Sequence, residues 1–217
     1  MRLALGESGC MRRTKQEAEQ TRSRIMAAAL RTFDRRGISR TTMEHIAAAA
    51  GVTRGAIYWH FANKQALLAA IRDDVSLPLI DRADFALLSD VQHDPLERVE
   101  RFLLDVFRAV NADSRTRLCF SVMSFKCEYV GEMAAELDEY ARKIERARKQ
   151  LTEVYTDARD RRQLRQGLAP ELAALETTVF LAGLMRLCLL DERSTCVRER
   201  GEELIAAHLA ARRATSS

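Results

Sequence analysis

The stretch Val52 to Lys64, VTRGAIYWHFANK, carries a guanidinium, a phenol, the chain's single indole, an imidazole and an ammonium within a few turns of chain. Wound as a helix at about 100° per residue, Arg54 and Tyr58 fall on one stripe, Gly55 and Trp59 on the adjacent one, and Ile57 and Phe61 on the other side. The outward face then presents a cation, two large aromatics with polar tips and a glycine. Such a face asks for a partner, because a monomeric surface rarely leaves its only Trp beside a Tyr on a short exposed helix. Double-stranded DNA supplies the matching chemistry. Arg pairs bidentately with guanine, aromatic and hydroxyl groups meet thymine methyls or phosphates, and Gly55 lets the backbone approach the duplex. His60 and Lys64, with the N–H groups that open the next helix, would hold phosphates. A second reading stands beside this one, in which Tyr58 and Trp59 pack against neighbouring helices.

No rival chemistry is assembled elsewhere in the sequence. His45, His60, His93 and His208 are scattered, there is no HExxH, glycine-rich phosphate loop or GxSxG elbow, and Asp73-Asp74 falls on a solvated helix face. An enzyme is therefore not expected, nor a cofactor or metal. The five cysteines, Cys10, Cys119, Cys127, Cys188 and Cys196, form an odd set without a CxxC pair, which indicates neither a disulfide framework nor a zinc site.

The elements that must position the Val52–Lys64 cluster follow from periodicity. From Thr21, apolar residues recur at Ile25, Ala28, Ala29, Leu30 and Phe33 until Gly37, a first helix. Thr41 or Thr42 caps a second, with Met43, Ile46, Ala47 and Ala50 inward and Gly51 at its end. Thr53 caps the third. Two short helices joined by a tight glycine turn form a helix-turn-helix. Asn63 opens a fourth, Lys64 to roughly Leu77, which Pro78 should interrupt. Longer helices are expected near 78–89, 95–112, 114–126, 131–163, 170–190 and 193–212, giving an all-α fold. Residues 1–18 are expected to form a disordered or basic arm, with Met11 a candidate start, 19–79 the DNA-binding head and 80–217 a helical ligand-binding and dimerisation body.

Composition agrees with amphipathic helices: 47% of the 217 residues are hydrophobic, 30% are charged, and only nine glycines and three prolines interrupt them. Residues 1–75 hold 13 Lys and Arg against 7 Asp and Glu, a surplus of +6, leaving 22 against 24, or −2, for the rest. A basic head on a neutral body suits a polyanion partner. The apolar run Val179–Leu190 contains Arg186 and falls short of the about 20 residues needed to cross a bilayer. With no signal peptide recognisable, a cytoplasmic protein with no membrane partner is expected.

The run from Arg12 to about Ile71, including RRTKQEAEQTRSRIMAAAL, TTMEHIAAAAGVTRGAIYWHF and NK, resembles the DNA-binding domain of the TetR family, particularly its AcrR-type efflux-pump repressors. FKCEYVGEM, Phe125 to Met133, resembles a segment of the ligand domain of the same subgroup. By this resemblance Thr42, Thr53, Arg54, Gly55, Tyr58, Trp59 and His60 would meet DNA, with Lys64 on a phosphate. It implies homodimers whose last two helices pack against their mates. Leu175, Val179, Leu184, Leu187, Ile205 and Leu209 would be buried there, with Gly183 allowing close approach; the same stripes would equally close an intramolecular core. Two heads related by a two-fold axis would read a palindromic operator.

The resemblance also implies a small hydrophobic or aromatic effector, bound among Val75, Ser76, Leu79, Phe102, Val106, Phe120, Ser124, Thr178 and Ala182, whose arrival would release a multidrug efflux operon. Several drug-binding relatives place an acidic or hydrogen-bonding residue on the fourth helix where this chain has Arg72 or Ser76. Arg72, if inward, would suit a neutral or anionic aromatic compound. Lys126, Cys127 and Glu128 are expected to clamp the turn before Gly131. The alternative is a DNA-binding protein with a filled body and no effector.

Overall fold

The computed structural model describes residues 7–84, 87, 93–190 and 196–214, with the side chains of 7–14, 76–84 and 132 left aside. Among the described residues nine α-helices follow one another: α1 (Glu7–Arg36), α2 (Met43–Ala50), α3 (Arg54–His60), α4 (Lys64–Asp84), α5 (Pro95–Ala112), α6 (Ser114–Phe125), α7 (Ala134–Asp160), α8 (Pro170–Leu190) and α9 (Cys196–Ala210). A 3₁₀ turn, Gly131–Met133, precedes α7. The all-α expectation holds, with one isolated bridge between Leu164 and Arg213.

Two apolar cores hold these helices. One gathers Ile25, Leu30 and Phe33 of α1, Ile46 of α2, Ile57 of α3 and Leu67 and Ile71 of α4, and also takes in Cys119 and Val122 of α6 and Met133. The other joins Leu96, Leu103 and Phe107 of α5, Leu151, Val154 and Tyr155 of α7, Leu184 of α8 and Ile205 and Leu209 of α9. The head therefore borrows part of its core from the body, and α6 stands between the two.

Three expectations are corrected. Residues 7–18 of the expected arm are helical, since α1 begins at Glu7: beyond Gly9 this stretch holds Arg, Lys, Glu, Gln and Ala, good helix formers with no breaker. Residues 1–6 lie outside the described residues. Pro78 does not end α4, which continues to Asp84 and so crosses the expected head–body boundary at 79/80. Proline removes one backbone donor, but α4 as a whole is packed against α1, α5 and α6, and packing can outweigh that local cost. The separate helix expected at 78–89 is thus the end of α4 as far as Asp84, and its remaining residues, Leu87 excepted, lie outside the described set. Finally, the expected 131–163 helix splits into the 3₁₀ turn and α7, which stops at Asp160 before Arg162 turns left-handed (φ 59°).

By length and composition α8 would cross a bilayer. Here Ala173, Ala174, Leu184 and Cys188 on one of its faces belong to the second core.

Candidate nucleic-acid interface

Local hydrogen bonding sets the angle of α3. Thr42 caps α2 reciprocally with His45: the His45 N–H donates to Thr42 Oγ1 and the Thr42 N–H to His45 Nδ1, each at 3.3 Å. Gly51 ends α2 in the left-handed region (φ 63°), which a side chain rarely adopts, and the Val52 N–H returns to the Ala47 carbonyl at 3.0 Å. Thr53 Oγ1 then accepts from the Ala56 N–H at 3.2 Å and starts α3. Ile57 and Phe61 anchor α3 in the head core.

With the inner face fixed, the outer face is open. Trp59 is 73% exposed and so stands clear of the neighbouring helices, while Tyr58 is 41% exposed. Gly55 is exposed, and a Cβ placed there would meet nothing within 4 Å. Arg54 carries an ion pair from Nε to Glu44 Oε1 (3.3 Å), and its guanidinium lies 5.8 Å from the centre of the Tyr58 ring. His60 meets Trp59 edge to face at 4.5 Å. Burial and the nearby Arg22 charge hold its imidazole below the usual histidine range, so it faces the exterior neutral at physiological pH. Thr42, Thr53, Arg54, Gly55, Tyr58, Trp59 and His60 are thus contributed by the opening turn of α2 and by α3 with its cap. Lys64 is engaged elsewhere: its ammonium donates to the Ile38 carbonyl (2.8 Å) and the Thr41 carbonyl (3.2 Å), tying α4 to the α1–α2 turn.

The residues expected around an effector are spread. Val75 packs against the head core, Phe102 is buried in the body core with Val106 at its edge, Phe120 and Thr178 are half-buried, and Ser124 and Ala182 are exposed. The side chains of Ser76 and Leu79 lie outside the described residues. Two depressions among the described residues, one along α7 and one between Ile38 and Val130, are lined by none of these residues. Arg72 does turn inward, but its guanidinium is paired with Glu136 and Asp73.

The residues expected at a dimer face divide in two. Leu175, Val179 (64% exposed), Gly183 and Leu187 are exposed on α8, together with Leu172 and Leu190, whereas Leu184, Ile205 and Leu209 are buried in the chain's own core.

Sequence reasoning missed the joint between head and body. The Ile38 N–H donates to the Lys126 carbonyl (3.1 Å), the Tyr129 hydroxyl donates to the Met123 carbonyl (2.6 Å), and Met133 enters the head core. On the other side of α4, Arg115 meets Asp74 at 2.5 Å, while Arg72 meets the buried Glu136. FKCEYVGEM is therefore the segment that fastens α6 and α7 to the α1–α2 turn.

A helix-turn-helix head with an exposed Arg-Gly-Tyr-Trp edge, on an all-helical body, defines a DNA-binding regulator. The chain belongs to the TetR family: residues 25–71 match the family described as bacterial regulatory proteins, tetR family, and residues 94–212 match the C-terminal region of MAATS-type transcriptional repressors. It is a transcriptional repressor of that type. It is similar to the HTH-type transcriptional regulator TtgR of Pseudomonas putida, 39% identical over 180 residues, 83% of this chain and 85% of the other. It is also similar to the HTH-type transcriptional regulator AcrR of Shigella flexneri, 34% identical over 203 residues and 90% of each chain. Among solved structures, NalD of Pseudomonas aeruginosa, the secondary repressor of the MexAB-OprM multidrug efflux pump, superposes with a TM-score of 0.79 at 27% identity, over 90% of this chain and 98% of the other. The complex of SmeT with triclosan gives 0.75 at 28% identity, over 89% and 92%.

Proposed function

We propose that the chain is a homodimeric repressor of a multidrug efflux operon, holding a palindromic operator through α3 and released by a small hydrophobic or aromatic compound. The observation that carries the reading is the outer edge of the head, where Arg54, Gly55, Tyr58 and Trp59 stand exposed on a helix whose inner face is locked. Efflux control is inferred from NalD, and an aromatic effector from SmeT with triclosan. The exposed apolar stripe of α8 supports dimerisation, since the faces of two copies would bury it against each other. The action is set in the cytoplasm, where operator DNA lies.

Release would run through α4. Its first residue is tied to the α1–α2 turn by Lys64, and its middle is tied to α6 and α7 by Asp74 and Arg72. A compound that shifts α6 or α7 would therefore move the heads and change their spacing on DNA.

The test is to select a duplex from a random pool with the purified protein and challenge the complex with triclosan and a panel of aromatic drugs. Dissociation by one or more compounds is expected. A complex that withstands the whole panel would favour a filled body without an effector.

A further inference from the structure

One acidic side chain stands directly against the reading face. Glu44, in the first turn of α2, places Oε1 3.3 Å from Arg54 Nε, and the face of Tyr58 flanks the same guanidinium. The Arg54 side chain is 74% exposed, so on its own it would lose rotamer freedom on meeting a base. Held between a carboxylate and a ring, it loses part of that freedom in advance. The choice of nitrogen matters too. The Glu44 carboxylate lies nearest Nε, as an ion pair rather than a hydrogen bond, and Nη1 and Nη2 have no hydrogen bond among the described residues. Those two nitrogens are a matching pair of donors for the O6 and N7 acceptors of guanine.

We propose that Glu44 is a specificity-determining residue, which positions Arg54 so that its two terminal nitrogens meet a guanine. The inference rests on the reading of α3 as the DNA-contacting helix. A backbone N–H, with Thr42 adding, holds the Glu44 carboxyl below its ordinary range, so it is ionised at neutral pH. A carboxylate at this place repels phosphates, so it lowers affinity for DNA in general while sharpening discrimination at one base.

The test compares the full-length wild type, Arg54→Ala, Glu44→Gln and Glu44→Ala on a duplex selected from a random pool by the wild type. Each is also measured on that duplex's single-base variants and on an unrelated duplex. Glu44→Gln is nearly isosteric and leaves the Thr42–His45 cap in place, so melting curves should coincide with wild type. The expected result is a guanine whose replacement weakens the wild type by about tenfold or more, a preference lost in Arg54→Ala. In the Glu44 variants that preference falls by about three- to tenfold, while binding to the unrelated duplex holds or tightens. Full discrimination in both Glu44 variants would overturn the proposal and leave the DNA reading standing. A change of preference only at a base that Arg54→Ala ignores would also overturn it, by making Glu44 a base reader in its own right. A wild type that enriches no sequence would remove the DNA reading beneath it as well.

Discussion

Trp59 and the Arg54 side chain are about three-quarters exposed, so their removal should separate binding from folding. Arg54→Ala and Trp59→Ala are expected to weaken binding to a selected duplex by about 1–3 kcal/mol each while shifting unfolding free energy by less than about 0.5 kcal/mol; parallel anisotropy titrations and urea melts would check this. His208 carries a different prediction. Its Nε2 lies 2.9 Å from Thr177 Oγ1, which lies 2.7 Å from the buried Tyr155 hydroxyl, and Phe180 stacks on its ring at 4.0 Å. Burial, with the Arg212 charge adding, pushes its pKa down to about 4. Unfolded, it titrates near its ordinary value of about 6.5, so between these values the unfolded chain binds more protons. The stabilisation is complete above about pH 6.5 and is lost as pH falls toward 4, on the order of 2 kcal/mol once solvent around the partly exposed ring is allowed for. Denaturant melts across this window should show the slope in the wild type and a reduced one in His208→Gln. Cys119 and Cys127 are poor redox sensors: burial pushes both up to about 11, leaving them protonated and poorly reactive at neutral pH.

Helix ends were the most legible elements. Thr42, Thr53 and Asn63 each accept the backbone bond expected of a cap, because capping is set by a few adjacent residues. Pro78 misled for the opposite reason, its local cost being offset by packing from helices distant in sequence. The Arg72–Glu136 pair was illegible in the same way, its partners being separated by 64 positions along the chain. Arg72→Met would leave Glu136, whose side chain is 6% exposed, without its partner and should destabilise the fold by about 2–3 kcal/mol. Adding Glu136→Leu should recover most of that in urea melts. Glycines divide similarly. Gly183 was singled out for close approach between two copies and is open within its own chain, whereas a Cβ at the buried Gly201 on α9 would run into the Phe107 ring of α5. Gly201→Ala should therefore cost about 1–3 kcal/mol, and Phe107→Leu should relieve it.

Head and body share α4, α6 and the Lys126–Met133 segment, so the molecule has no loose joint at the expected boundary of residue 79. On the proposed mechanism, that sharing is the route by which a change in the body would reach α2 and α3. If the exposed α8 stripe is the proposed dimer face, Val179→Arg should leave folded monomers by sedimentation and reduce operator affinity, since two heads would no longer bind together. A dimer that persists in this variant would place the interface elsewhere. The most direct measurement is a fluorescence titration, in moderate salt, of wild type, Arg54→Ala and Tyr58→Ala against the DNA upstream of the protein's own gene, followed by aromatic compounds. Tight wild-type binding, lost in both variants and reversed by a compound, is the predicted result. Variants that bind as tightly as the wild type would contradict the assignment of α3 as the reading helix.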